Sequence, residues 1–345
     1  MEVLPGLKQK LNFRVIIFAV LVVVALVVVF IRRDQLVDLV HAMEGGDYVF
    51  LALAIICQFG KYVSQSFAYA NAFNTVGEPT RARPMFPLIF ASYFMNVIAP
   101  SFNTAGILVV VDDARKRGVP TGRATSAALL MQITVITGFL VIMFFGFAVL
   151  TAIGRMNVVW FFFGMIVVFM VGIMVGILYI GSRDPAILVR LLMPLERLAN
   201  RISRRLRKGK TMNPWAEALV SSFSEAGRRI REHPDKGARA FGFSILASTC
   251  ELGCFCFVGL AFGLGNPGML IGGYVVATLF SWVTITPQGV GVVEIILIAT
   301  LTAYGINSTV GAAVALVYRG IVFWMPFIIG AVLIHRTKAF RKHEQ

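Results

Sequence analysis

Histidine is missing from the interior of every long apolar stretch of this chain. The four that exist, His41, His233, His335 and His343, lie in loops or at the ends of such stretches. The apolar segments therefore hold no imidazole to act as a base or a metal ligand. Cysteine is scarce as well: Cys57, Cys250, Cys254 and Cys256, all inside apolar segments. A C-x3-C-x-C run without histidine is not a zinc spacing, so these read as small packing residues, and no metal or cofactor is called for. No nucleophile–base pair stands out, which argues against an intramembrane enzyme. The alternation of a barrel strand is absent too. Finally, residues 240–318 contain no lysine or arginine at all.

What the chain has is apolar length. Hydrophobic residues make up 58% of it and the mean hydropathy is +0.80. Its apolar stretches of about 20 residues match a hydrocarbon core roughly 30 Å thick. Backbone in lipid must pair internally, so the stretches are expected to be helices, giving an all-α integral membrane protein. The expected spans are Val15–Ile31, Tyr48–Phe73, Ala124–Ala152, Val158–Gly181, Ala238–Gly263 and Ser308–Ile334. Lys8, Lys10 and Arg14 before the first span resemble a signal peptide, but the run is long and no small-residue cleavage site follows. Two further apolar segments are broken: 85–111, at Pro100-Ser101-Phe102-Asn103-Thr104, and 268–303, at Thr286-Pro287-Gln288-Gly289-Val290-Gly291.

The formal net charge of +15 would suit nucleic acid, but its placement does not. Fourteen of the 32 Lys and Arg fall within 183–239, the clustering that the positive-inside rule produces. With the N-terminus inside and both broken segments re-entrant, 27 Lys and Arg lie inside and 3 outside, with Lys61 and Arg319 within spans. Six spans plus two re-entrant helical hairpins follow, with both termini cytoplasmic. On this topology 48–152 and 238–335 are inverted repeats within a single membrane domain, 1–345. Interrupted helices at matching places in two repeats point to a midplane binding site. Segment 182–237 between them reads as two amphipathic helices, about Pro185–Lys208 and Pro214–Glu232, suited to an anionic lipid surface. Gly172 and Gly176 form a small-residue step for close packing, within the chain or in a homodimer.

Four charges stand where lipid should be: Lys61, Glu251, Glu294 and Arg319. Each costs roughly 3 kcal/mol at a bilayer centre, so their presence calls for a use. Gln58, Lys61, Gln65 and Tyr69 share one helical face. Glu251 has Ser244 and Ser248 on its own face, and a Lys61–Glu251 pair between the repeats is expected. Pro287 should end one half-helix, and Gly289 and Gly291 permit a tight turn. The half-helix that follows would start near the midplane with free N–H groups, an anion site. Glu294 lies in its first turn. Arg319, flanked by Tyr318 and Trp324, offers a fork suited to phosphate. Asn96, Asn103 and the polar break around them would line the inner half of the cavity, with Gln288 at the other break. For each pair, a purely structural neutralisation is the competing reading.

The run from Thr286 to Glu294, followed by Tyr318-Arg319 and Trp324-Met325-Pro326, resembles the lysylphosphatidylglycerol synthase transmembrane family, the flippase-like membrane part of the multiple peptide resistance factor. Glu251 and the segment Asn96–Gly118, with Lys116-Arg117-Gly118, resemble further family motifs. There are departures: Gln288 stands where the family often has Gly, Ala105–Val110 carries no charge, and Met131-Gln132 replaces a common charged pair. The aminoacyl-transfer domain has no counterpart here. The resemblance implies lipid translocation in the cell membrane rather than lipid synthesis, with a phospholipid or polyprenyl-phosphate-linked lipid as partner. The alternative of another class is a membrane scaffold for a lipid-modifying enzyme or glycosyltransferase, in which the charges are structural. A small-solute transporter on the same plan is a third reading.

Overall fold

A computed structural model describes residues 42–98, 104–206, 216–284 and 286–333. The expected first span, Val15–Ile31, lies outside them, as do Pro100, Ser101 and Asn103. The described residues form twelve α-helices and no strand. They are α1 (Tyr48–Thr75), α2 (Ala82–Ile98), α3 (Thr104–Lys116), α4 (Thr121–Ala152), α5 (Val158–Arg183), α6 (Pro185–Leu206), α7 (Ala216–Glu232), α8 (Pro234–Ala261), α9 (Pro267–Val283), α10 (Val292–Ala303), α11 (Ser308–Arg319) and α12 (Met325–Leu333). Among the described residues five stretches are long and apolar enough to cross a membrane: Tyr48–Thr75, Thr121–Ala152, Val158–Ile177, Pro234–Ala261 and Ser308–Leu333. The molecule is an all-α, multi-pass membrane protein.

Short polar residues set where the helices begin. Asp47, Asn157, Asn266 and Asn307 each accept a hydrogen bond from a backbone N–H two residues on, capping α1, α5, α9 and α11. Helix α1 ends where Gly77 adopts φ +84 and the Glu78 N–H turns back to the Phe73 carbonyl.

In both broken segments the two half-helices pack on each other. The Gly106 N–H bonds the Asn96 Oδ1 at 2.6 Å, which ties α3 to α2. Gly273 packs beside Leu301 and Gly272 beside Tyr304, which ties α9 to α10. In the expected last span, α11 and α12 are joined by a π-helical turn, Gly320–Trp324, closed by the Met325 N–H on the Gly320 carbonyl. Pro326 follows it; a proline lacks the N–H and crowds the turn before it, which a widened turn relieves.

Helices α1 and α8 form the most extensive contact among the described residues. They meet through reciprocal small residues: Gly60 faces Cys250, and Gly253 faces Cys57. This is the close approach that drives helix association where water supplies no hydrophobic force, and it bears out the reading of those cysteines as packing residues. Helix α4 packs on α9, and α12 packs on α2. One apolar core joins the start of α1 with α4, α5, α8, α9, α10 and α11, and a second joins the rest of α1 with α2, α3, the start of α4 and α12.

The amphipathic α7 lies against α4 and α5, and α6 against α5 and α7. Gly172 and Gly176, read as a step for close packing within the chain or in a homodimer, make no such contact among the described residues. Among the described residues a Cβ at either would meet nothing within 4 Å, and α5 packs through Val167 and Val171 instead.

Candidate functional site

A cavity of about 480 Å³ lies between the two cores. Its wall takes side chains from both: Tyr69 and Phe327 from one, Phe139 and Tyr318 from the other. Seven of the site residues expected from sequence line it: Lys61, Gln65, Asn96, Glu251, Gln288, Tyr318 and Arg319.

The polar face of α1 is buried along its length, at Gln58, Lys61, Gln65 and Tyr69. Lys61 Nζ donates to Glu251 Oε1 at 2.6 Å, so the expected pair across the α1–α8 seam forms. The Tyr274 hydroxyl donates to the other oxygen of Glu251 at 3.4 Å. Tyr93 brings its ring face to 5.6 Å from Lys61 Nζ, within cation–π range. Ser244 and Ser248 sit on the same wall as Glu251, and the Ser244 hydroxyl has no partner among the described residues.

The second charged pair is arranged differently from the sequence expectation. Arg319 Nε donates to Glu294 Oε1 at 2.9 Å, and the Gly291 N–H donates to Glu294 Oε2 at 2.8 Å. The start of α10 therefore carries its own anion. Glu294 caps the helix and grips Arg319 with the same carboxylate. Gly289, Gly291 and Glu294 stand behind the cavity wall rather than in it. The helix start does not offer its Gly291 N–H to a ligand, because a carboxylate three residues on is within reach and already neutralises the dipole.

What reaches the cavity is Arg319 itself. It is 5% exposed, its guanidinium lies 4.8 Å over the Phe323 ring, and its Nη2 has no hydrogen-bond partner among the described residues. A buried cationic N–H without an acceptor costs on the order of 1–3 kcal/mol or more, which a turn of the guanidinium toward an anionic oxygen in the cavity would relieve. Gln65 Oε1 is a second buried atom without a partner on the same wall.

Several lining residues were not read as site residues. Tyr274, Thr278 and Ser281 sit four and three apart on α9, and the latter two line the cavity. That spacing is a polar stripe on an apolar helix and was legible. Ser92 and Tyr93 lie one turn before Asn96 on the same hairpin. Gln132, seen in the sequence only as a departure, lines the cavity from α4.

Gln288 adopts φ +53, ψ +24, the left-handed region that favours glycine. Where relatives often have Gly, this chain strains a Gln. Gln288→Gly is expected to leave the thermal unfolding midpoint in detergent unchanged or raised. Gln288→Val should lower stability by about 1–2 kcal/mol, since a β-branched residue tolerates that backbone least. Equal midpoints for the two would mean the turn relaxes freely.

The chain matches the family described as "Lysylphosphatidylglycerol synthase TM region" over residues 16–330. No curated protein matches it.

Proposed function

The chain belongs to the lysylphosphatidylglycerol synthase transmembrane family, and from that premise we propose that it moves a phosphate-bearing lipid headgroup across the membrane through the cavity between its two halves. The observation that carries this reading is the buried Arg319 fork, which lines a 480 Å³ cavity, is held through Nε by Glu294, and has an Nη2 without a partner among the described residues. Space of that order suits a headgroup-sized ligand. The acyl or isoprenoid tails stay in the bilayer. The protein is read as a transporter and not an enzyme, in the cell membrane, with its basic ends and loops cytoplasmic.

The Lys61–Glu251 pair supplies one charge of each sign beside the phosphate subsite. An approaching ammonium or phosphate competes for one partner and frees the other, which gives the site a way to respond to its occupant. The inverted-repeat reading is supported by exchanged contacts: α4 on α9, and α12 on α2, are the same contact made twice. The paired hairpins α2–α3 and α9–α10 would then alternate as the inner and outer gates.

The test is transbilayer movement of headgroup-labelled lipids in liposomes, wild type beside Arg319→Gln. Headgroup-selective movement should fall about ten- to a hundredfold in the variant, the loss of charge-assisted bonds to one phosphate. Undiminished movement by a folded variant would remove Arg319 from the site. No movement of any lipid by folded wild type would favour the scaffold reading and the search for its enzyme partner.

A further inference from the structure

A second cavity, of about 300 Å³, is lined by Asn71, Asn74, Gly77, Pro79, Lys236 and Arg239. It shares no residue with the transport cavity. It lies where the end of α1 meets the basic start of α8. Arg239 is exposed and makes no hydrogen bond or ion pair among the described residues. Lys236 Nζ makes one long bond, 3.4 Å, to the Asn74 carbonyl. Asn74 Oδ1 accepts the Thr80 N–H at 2.7 Å, so Asn74 keeps its amide NH2 to offer a ligand. The Arg229 guanidinium stands 3.9 Å from where a Cβ on Gly77 would sit, a third cation at the rim.

Above this basic pocket the surface turns apolar in register. Phe59, Val63 and Phe67 are exposed at four-residue spacing on α1, the same face that ends at Asn71. On α8, Arg239, Phe243 and Leu246 follow Lys236 at helical spacing, and Leu246 is exposed. Phe67 and Phe243 stack across the seam at 5.0 Å. Cations and an amide at the bottom, with an aromatic and aliphatic track rising from them into the bilayer, match the order of parts in a phospholipid.

We infer that the outer face of the α1–α8 seam is a binding site for an anionic phospholipid, its phosphate held between Lys236 and Arg239 and an acyl chain lying along Phe67 and Phe243. The site goes beyond the transport reading and does not depend on it. A lipid seated there bridges the two helices whose inner faces hold Lys61 and Glu251.

The experiment follows thermal unfolding of the full-length, delipidated chain in a neutral detergent while phosphatidylglycerol, phosphatidylcholine or inorganic phosphate is added. Phosphatidylglycerol should raise the midpoint as a ligand of the native state does. Phosphatidylcholine should do so weakly and inorganic phosphate not at all. Lys236→Gln with Arg239→Gln should need roughly thirtyfold more phosphatidylglycerol, and Arg239→Gln alone about fivefold more. Because Arg239 is exposed and unpartnered, its single variant keeps the test open if the double variant unfolds. An unchanged response in Arg239→Gln overturns the site. An equal response to inorganic phosphate makes it a free-anion site, and an equal response to phosphatidylcholine makes it unselective lipid contact; either overturns the inference. In an Arg319→Gln background, Arg239→Gln should still raise the phosphatidylglycerol requirement about fivefold, which separates this site from the transport cavity.

Discussion

Glu294→Gln is expected to destabilise the protein by about 3–5 kcal/mol, the cost of leaving a buried charge without its partner. The side chain it would strand, Arg319, is 6% exposed, and Phe323 is the nearest compensation. The same substitution weakens the cap of α10, since one carboxylate serves both Arg319 Nε and the Gly291 N–H. Adding Arg319→Met to Glu294→Gln should recover most of the loss, because removing both members of a buried pair is far less costly than removing one. Denaturant unfolding of the two single variants and the double variant in detergent measures the coupling. Additive losses would mean that the two residues do not act as a pair. Lipid movement should stay impaired in the recovered double variant, which separates holding the fold from holding the headgroup.

The second large effect is steric. Gly330 on α12 lies so close to α2 that an added Cβ would stand 2.3 Å from the Phe90 carbonyl oxygen and 2.9 Å from Phe94 Cβ. The obstacle is backbone, which cannot turn aside as a side chain does, so the two helices must separate. Gly330→Ala should therefore cost about 3 kcal/mol, at the upper end for overpacking a tight interface. Gly172→Ala is the matched control, since a Cβ there meets nothing within 4 Å. It should be neutral or slightly stabilising, because alanine is the better helix former. Similar unfolding midpoints for the two variants would show that the α2–α12 contact yields more readily than its geometry implies.

Much of this architecture is written in the chain, for identifiable reasons. Long apolar runs in lipid have one backbone solution, so α1, α4, α5, α8 and the last span are legible from hydropathy. The break before α10 is legible because Pro287, Gly289 and Gly291 each forbid or release a particular backbone state. The Lys61–Glu251 pair is legible because few partners exist for a charge in an apolar helix. Other features depend on choices below the resolution of pattern. Whether Glu294 faces the cavity or folds back to cap its own helix is decided by a side-chain rotamer. Gly330 and Gly172 look alike in sequence; only the packed neighbour tells them apart. Gln288 reads as a polar lining residue, and its left-handed backbone emerges only when the turn closes.

The wide turn at Gly320–Trp324 sets the angular phase of everything after it. In an unbroken α-helix, Arg319 and Gly330, eleven residues apart, would point within about 20° of each other, at about 100° per residue. The π turn absorbs roughly one extra residue and so offsets the second part by about 100°. One helix can then aim Arg319 at the cavity and Gly330 at α2, two directions that a straight helix would merge. Deleting a single residue from this turn would straighten the helix yet keep that phase, since ten residues at about 100° each reach the same direction as eleven with one absorbed; straightening the turn with every residue retained would instead rotate either the guanidinium off its carboxylate or the glycine off its neighbour.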